Sequence, residues 1–276
     1  GVDVPPTYDE FIEMLTRFKN EIPECTAPYT APGLKSTQAL PEFYQGATAD
    51  YVKVDGKWVD GMAQDNMLTA LQNLQDAYTA GLIDQEAITN TTSSFRDEWY
   101  AGTVGCFPYW GGLWGETLTV RLKQNVPDAE VIALPPIEGA TYLYSAPSVQ
   151  VISSKLSDEQ VASVYKYFIE YMHDGGEGQV LFQSGVEGVH WQQSGNNIDP
   201  LPTISKPAEA FRKAWITPWL ALTPMTATDK NVEVSQEVTD SLAVVSANAK
   251  NISVFPVSEQ RTMITSDLTT TRENII

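Results

Sequence analysis

Apolar positions recur at three- and four-residue steps behind Thr7, where Phe11, Met14, Leu15 and Phe18 form one stripe of a helix. The start is marked, because Thr7 can accept a bond from the backbone of Glu10 while the Glu10 side chain reaches back. Pro23 ends this helix. Residues 24–50, rich in Pro, Thr and Ala, predict mostly loop, with a short helical piece near 40–44. Residues 51–59 form two short runs around Asp55-Gly56, a dipeptide that tolerates positive φ, and predict a β-hairpin. A further helix starts near Asp65 with Leu68, Leu71, Leu74 and Tyr78 on one face. It stops at Gly81, and Leu82 is placed for the apolar contact of a Schellman ending.

Further along, 94–101 and 116–125 read as helices. The apolar runs 104–109 and 131–134, bounded by Gly and Pro, read as buried strands, and 148–153 as another strand. Ser157-Asp158-Glu159-Gln160 is a second reciprocal cap, and Val161, Val164, Tyr165, Phe168, Ile169 and Met172 form the stripe behind it. Strands alternating with helices predict an α/β fold. From about residue 205 the pattern turns helical to the end, broken over 220–231. The expected organisation is therefore an α/β lobe over 1–204 and a helical segment over 205–276.

Charge narrows the function. Asp plus Glu number 35 against 17 Lys plus Arg, a formal net charge of −18. Nucleic-acid binding needs a basic footprint, and the chain has no Lys/Arg cluster. The same field repels an anionic membrane surface, so a neutral or cationic ligand fits it better. Hydrophobic residues at 42% over 276 residues suffice for a packed core. Cys25 and Cys106 follow no C-x-x-C pattern and imply neither a disulfide framework nor a metal site. No apolar run approaches the ~18 residues of a membrane helix. Gly1-Val2 leads straight into a helix, so an upstream portion is expected to have been removed.

Several pieces, in this order, resemble the family 1 extracellular solute-binding proteins, the carbohydrate-uptake lipoproteins of ABC importers. Pro6-Thr7-Tyr8-Asp9-Glu10-Phe11 resembles the helix start that opens that family's second lobe, and Asp55-Gly56-Lys57-Trp58 its hairpin. Ala80-Gly81-Leu82-Ile83-Asp84-Gln85-Glu86 matches a further motif, with Gln85 where Pro is usual. Phe95 through Gly105, followed by Pro127-Asp128-Ala129-Glu130-Val131, matches another, with Cys106 in place of Met. Gly185-Val186-Glu187-Gly188-Val189-His190-Trp191 is the last; residues 205–276 resemble the family only loosely. The resemblance implies the second lobe of a type II periplasmic-binding fold, in a domain fragment lacking most of the first lobe. It also implies noncovalent capture of an oligosaccharide or other small solute in an interlobe cleft by a monomer. ABC permease subunits would be the protein partners, and a lipid anchor absent from this chain would hold the full-length protein outside the cell.

Seven tryptophans, Trp58, Trp99, Trp110, Trp114, Trp191, Trp215 and Trp219, supply flat, stiff rings that match the C–H faces of sugars. The best placed are Trp110 and Trp114, with Tyr109, in Pro108-Tyr109-Trp110-Gly111-Gly112-Leu113-Trp114-Gly115. This run follows a strand and precedes a helix, where α/β sheets seat ligands. Its glycines leave room for close backbone approach, and a helix start offers N–H donors. By resemblance to maltose-binding relatives the segment supplies a stacking Trp; the alternative is that both tryptophans are core or rim. Glu187, His190 and Trp191 are further ligand candidates, or, for Glu187 and His190, groups that fix their own loop. No cofactor, metal or catalytic residue is expected: His190 and His173 are the only histidines, and no H-E-x-x-H occurs. A glycosidase remains the enzymatic alternative, since Asp97, Glu98, Glu116 and Glu187 are available carboxylates. A structural carbohydrate-binding surface module is the third.

Overall fold

In this computed structural model the described residues are 4–34, 39–144, 150–201, 223–248, 250–251 and 259–274. They fall in two compact units, one built from residues 1–146 and 237–276, the other from 147–236. The boundary expected at 204/205, and the helix expected just beyond it, lie outside the described residues. Unit 1 carries α1 (Tyr8–Glu21), β1 (Ala27–Tyr29), α2 (Pro41–Tyr44), β2 (Tyr51–Val54), β3 (Lys57–Asp60) and α3 (Asp65–Thr79). After these come α4 (Ser94–Ala101), β4 (Val104–Cys106), α5 (Leu113–Asn125) and β5 (Leu143–Tyr144). Unit 2 holds α6 (Asp158–Val164), α7 (Glu177–Ser184), β6 (Trp191–Ser194) and β7 (Asn197–Pro200). The chain then continues through α8 (Gln236–Asn248), β8 (Lys250–Asn251) and α9 (Glu259–Glu273).

The local signals of unit 1 form as their chemistry dictates. Thr7 Oγ1 accepts from the Glu10 N–H at 3.4 Å, and the Thr7 N–H donates to Glu10 Oε2 at 3.2 Å, completing the reciprocal cap of α1. At the end of α3 the Leu82 N–H donates to Ala77 O (2.9 Å) and the Gly81 N–H to Tyr78 O (3.0 Å). These are the two bonds of a Schellman ending, with Gly81 at φ +66°. Asp55 and Gly56 both take positive φ between β2 and β3, as the hairpin requires.

The core of unit 1 differs from expectation at its centre. Residues 24–50 were expected to be mostly loop, yet Tyr29, Leu40, Phe43 and Tyr44 are all buried there. Phe11, Tyr29 and Phe43 meet edge to face, with ring centroids 5.0–5.9 Å apart. Pro28 hid the strand, because it lacks the N–H that a strand interior contributes. In fact β1 pairs in parallel with β4 (Ala27 with Val104, Tyr29 with Cys106) and bridges in parallel to Ile83. On α3 the buried face is Met67, Ala70, Leu74 and Ala77, while Leu68 is 76% exposed. The two alanines let the helix sit close to α2, where Asn73 Nδ2 donates to Phe43 O at 3.1 Å.

Two expected strands do not form. Residues 131–134 make no ladder; Leu134 packs half-buried on the core while Ile132 faces water. Among 150–153 there is no strand either, and Val151 is exposed; 148 and 149 lie outside the described residues. An apolar run becomes a strand only where a neighbouring edge offers partners, which a sequence does not reveal. Helices α8 and α9 do form in the segment expected to be helical.

In unit 2 the Ser157–Gln160 cap forms around α6. Its stripe does not become core: of the six expected residues only Met172 is buried, and Tyr165 and Phe168 face outward. The reason is local, since Tyr165–Glu170 is π-helical, and five-residue spacing rotates positions chosen for a 3.6-residue period. Asp174 accepts from the N–H groups of Gly176, Gly178 and Gln179 at 2.7–3.0 Å and so caps α7. Gly195 at φ +61° turns β6 into β7, a Gly-Asn hairpin that the sequence reading passed over.

Candidate functional site

The parallel pairing of β1 with β4 and with Ile83 brings three chain exits to one edge of unit 1. Thr30 follows β1, Asp84 follows Ile83, and Phe107 follows β4. The carboxyl edge of a parallel sheet is where α/β folds seat ligands.

One half of this edge is polar. Thr30 Oγ1 donates to Asp84 Oδ2 at 2.9 Å and lies 3.3 Å from Glu98 Oε2, and Asn90 Nδ2 donates to Asp84 Oδ2 at 2.6 Å. A hydroxyl has one proton, so Thr30 cannot serve both carboxylates. Burial first, then the charge and hydrogen bond of Asp84, push the Glu98 carboxyl up.

The other half is aromatic. Phe95 and Trp99, one turn apart on α4, both meet Phe107 edge to face at 5.1 Å. Phe107 meets Tyr109 at 5.7 Å, and Tyr109 meets Trp114 at 5.0 Å with perpendicular rings. Arg96 lies over Trp114, its Cζ 5.1 Å from the ring centroid, and its Nη1 donates to the Tyr109 hydroxyl at 3.2 Å. Burial pushes that hydroxyl up, and the charge of Arg96 partly offsets it.

Of the residues singled out by sequence, Tyr109 and Trp114 come together in this cluster, and Trp110 is 57% exposed beside them in the chain. The glycines between them do a different job from the one expected. A Cβ on Gly111 would stand 2.9 Å from Val245 Cγ2, and one on Gly115 would stand 3.1 Å from Glu237 O. The Gly112 N–H donates to Ser241 Oγ at 2.8 Å. Helix α8 approaches these glycines with both side-chain and backbone atoms, so their small size serves helix packing.

Glu187, His190 and Trp191 lie together in unit 2. The Val186 N–H donates to His190 Nδ1 at 2.9 Å, which fixes the loop. Trp191 is 3% exposed, packs with Val180 and Ile198, and donates from Nε1 to Gly185 O at 2.9 Å. Glu187 is exposed. Trp58 is partly exposed on the β2–β3 hairpin, and Trp99 donates to Leu118 O at 3.3 Å; Trp215 and Trp219 lie outside the described residues. Among the described residues no group of three or more His, Cys, Asp or Glu could hold a metal, and no helix is long and apolar enough to cross a membrane. Sequence reasoning missed Arg96, Thr30, Asp84 and Asn90. The four-residue spacing of Phe95 and Trp99 was a readable sign of an aromatic face on α4.

No protein-family model matches the chain. The lipoprotein LipO of Bacillus subtilis (strain 168) is 21% identical over 209 residues, covering 70% of this chain and 41% of LipO. Among solved structures, the alginate-binding protein AlgQ2 superposes with a TM-score of 0.63 at 16% identity, over 99% of this chain and 60% of AlgQ2. The Streptococcus pneumoniae (S.pneumoniae) ABC-transporter substrate-binding protein FusA, solved with kestose, gives 0.58 at 18% identity, over 99% and 61%. An extracellular solute-binding protein from Bifidobacterium longum subsp. infantis gives 0.55 at 13% identity, over 88% and 53%. The chain thus spans well under two thirds of the length of each of these proteins. Within that span, it has the α/β fold of the extracellular solute-binding proteins of ABC transporters.

Proposed function

We propose that the chain is part of the solute-capturing component of an ABC importer and binds a sugar or oligosaccharide noncovalently in an interlobe cleft. The carboxyl edge of unit 1 supplies one wall. The observation that carries this reading is the edge itself: a packed aromatic floor of Phe107, Tyr109 and Trp114, a half-buried Arg96, and an exposed Trp110, on a solute-binding fold. Rigid rings match sugar faces at little entropic cost, and the polar groups beside them suit hydroxyls. FusA, solved with kestose, and AlgQ2, an alginate-binding protein, support carbohydrate as the ligand class. The role is binding and not turnover, with the permease as protein partner, and the similarity to a lipoprotein supports a lipid-anchored protein outside the cell. The working form is a monomer.

Tryptophan fluorescence and thermal shift against a panel of oligosaccharides at millimolar concentration test this. A saturable response with no sugar consumed is expected, and Trp110→Ala should weaken it about tenfold through the lost stacking face. Turnover of any sugar would overturn the binding role, and silence across the panel would remove carbohydrate as the ligand class.

A further inference from the structure

Arg96 is a cation in a chain whose formal net charge is −18, yet among the described residues no acidic group pairs with it. Among the described residues the one ion pair within 4.0 Å is Arg17–Glu21. The contacts of Arg96 are neutral: Nη1 donates to the Tyr109 hydroxyl at 3.2 Å and Nη2 to Ser93 Oγ at 3.4 Å. Its Cζ lies 5.1 Å from the Trp114 centroid and 6.0 Å from that of Tyr109. A guanidinium has five N–H donors in a fixed fork, and aromatic faces with two hydroxyls hold its plane without neutralising it. The nearby acids on α4 are turned to other uses, with Glu98 engaged by Thr30 and Asp84, and Asp97 exposed. A half-buried, oriented and uncompensated Arg at the mouth of a ligand edge is complementary to a carboxylate.

We propose that this edge selects an acidic carbohydrate, with the Arg96 guanidinium receiving the carboxylate of a uronic-acid residue while the Tyr109–Trp114 aromatic cluster keeps its plane fixed. The proposal rests on the sugar-capture reading and deepens it. It reverses the expectation drawn from net charge: the global field disfavours anions at a distance, but a charge-assisted bond in a partly desolvated site is set by its nearest partner. The global charge then slows the encounter, and the local one decides the selectivity.

The test is proton–nitrogen NMR of the 276-residue chain, following the Arg96 Nε–H and the Trp114 indole N–H during titration with galacturonate, galactose and acetate at matched ionic strength. Galacturonate should shift both signals with a half-saturation about tenfold below that of galactose, the difference between a charge-assisted and a neutral bond. Arg96→Gln should abolish that preference, and Arg96→Lys, which keeps the charge without the fork, should retain it in part. Equal or tighter galactose binding would overturn the acidic-sugar proposal and leave the sugar reading standing. Acetate matching galacturonate would also overturn it, because the ring would contribute nothing. Absence of shifts with both sugars would remove the proposal and the sugar reading together.

Discussion

At the residue scale, Glu42 illustrates how a buried group sets pH dependence away from the carboxyl edge of unit 1. It is 7% exposed, and the hydroxyls of Tyr29 and Tyr142 each stand 2.8 Å from one of its oxygens. The Tyr29 hydroxyl is also 2.9 Å from Ala39 O, and it has a single proton for two acceptors. If Glu42 keeps its own proton, it donates to Tyr29, Tyr29 donates to Ala39 O, and every group is satisfied. Burial pushes the Glu42 carboxyl up in agreement with that proton count. A carboxyl with a raised folded-state value contributes stability below its unfolded value of about 4.3, and that contribution is lost as pH rises through the folded value. Glu42→Gln, which keeps a donor toward Tyr29 and cannot ionise, should therefore gain Tm relative to the native chain as pH rises from 5 to 8. Glu42→Ala should lose about 1–3 kcal/mol by leaving the Tyr142 hydroxyl without its acceptor and opening a cavity beside Tyr29. A Tm difference between the Gln variant and the native chain that does not change with pH would contradict this account.

At the element scale, the packing of α1 on β4 turns on Gly105. A Cβ there would press on Phe18 Cδ2 and stand 2.7 Å from Pro28 O, so both the helix and the central strand would have to move. Gly105→Ala should cost about 1–3 kcal/mol in urea unfolding of unit 1, an overpacking penalty that outweighs the usual gain from replacing a strand glycine. Thr7→Ala should cost about 1 kcal/mol by removing the cap of α1, and Thr7→Ser should restore most of it. Equal stability of the Thr7→Ala variant and the native chain would mean that tertiary packing alone holds the helix start.

At the scale of the whole molecule, the described residues of the two units form unequal cores. Unit 1 buries Phe11, Tyr29, Phe43, Tyr44 and many others in one cluster, whereas the cluster of unit 2 centres on Val180, Trp191 and Ile198. Hydrogen exchange should therefore release the Trp191 indole and the β6–β7 amides before the Tyr29 and Asp84 amides that tie the parallel strands. Exchange of both sets at one rate would mean a single cooperative unit. Ligand affinity belongs to this scale too, because the chain spans about 60% of AlgQ2 and of FusA. If a complete binder holds its sugar at ~1 μM, about −8 kcal/mol, a wall with half the contacts is left near −4 kcal/mol, or millimolar. Calorimetry giving micromolar affinity for this chain would contradict the shared-wall reading.

What the sequence determined by itself was everything set by neighbours in the chain. Both reciprocal caps, the Asp55-Gly56 hairpin, the Gly81 ending and the helices over 94–101 and 116–125 are written in residues a few positions apart. The ordered motifs also carried the fold, since five local patterns in sequence are hard to meet otherwise. What only the tertiary structure decided depends on residues distant in the chain. The strand at Pro28 exists because β4 and Ile83 flank it, 131–134 is no strand because nothing does, and α3 buries Met67 and Ala70 because α2 lies on that side. The carboxyl edge of unit 1 divides in the same way. Trp110 and Trp114 were legible as flat rings after a strand, but Arg96 acquired its meaning only when α4 laid it across Trp114, and Trp191 became core only when Val180 and Ile198 closed on it. Propensity and capping act within a turn or two of the chain, whereas burial and electrostatic pairing are properties of the surroundings, and those exist only once the chain has folded.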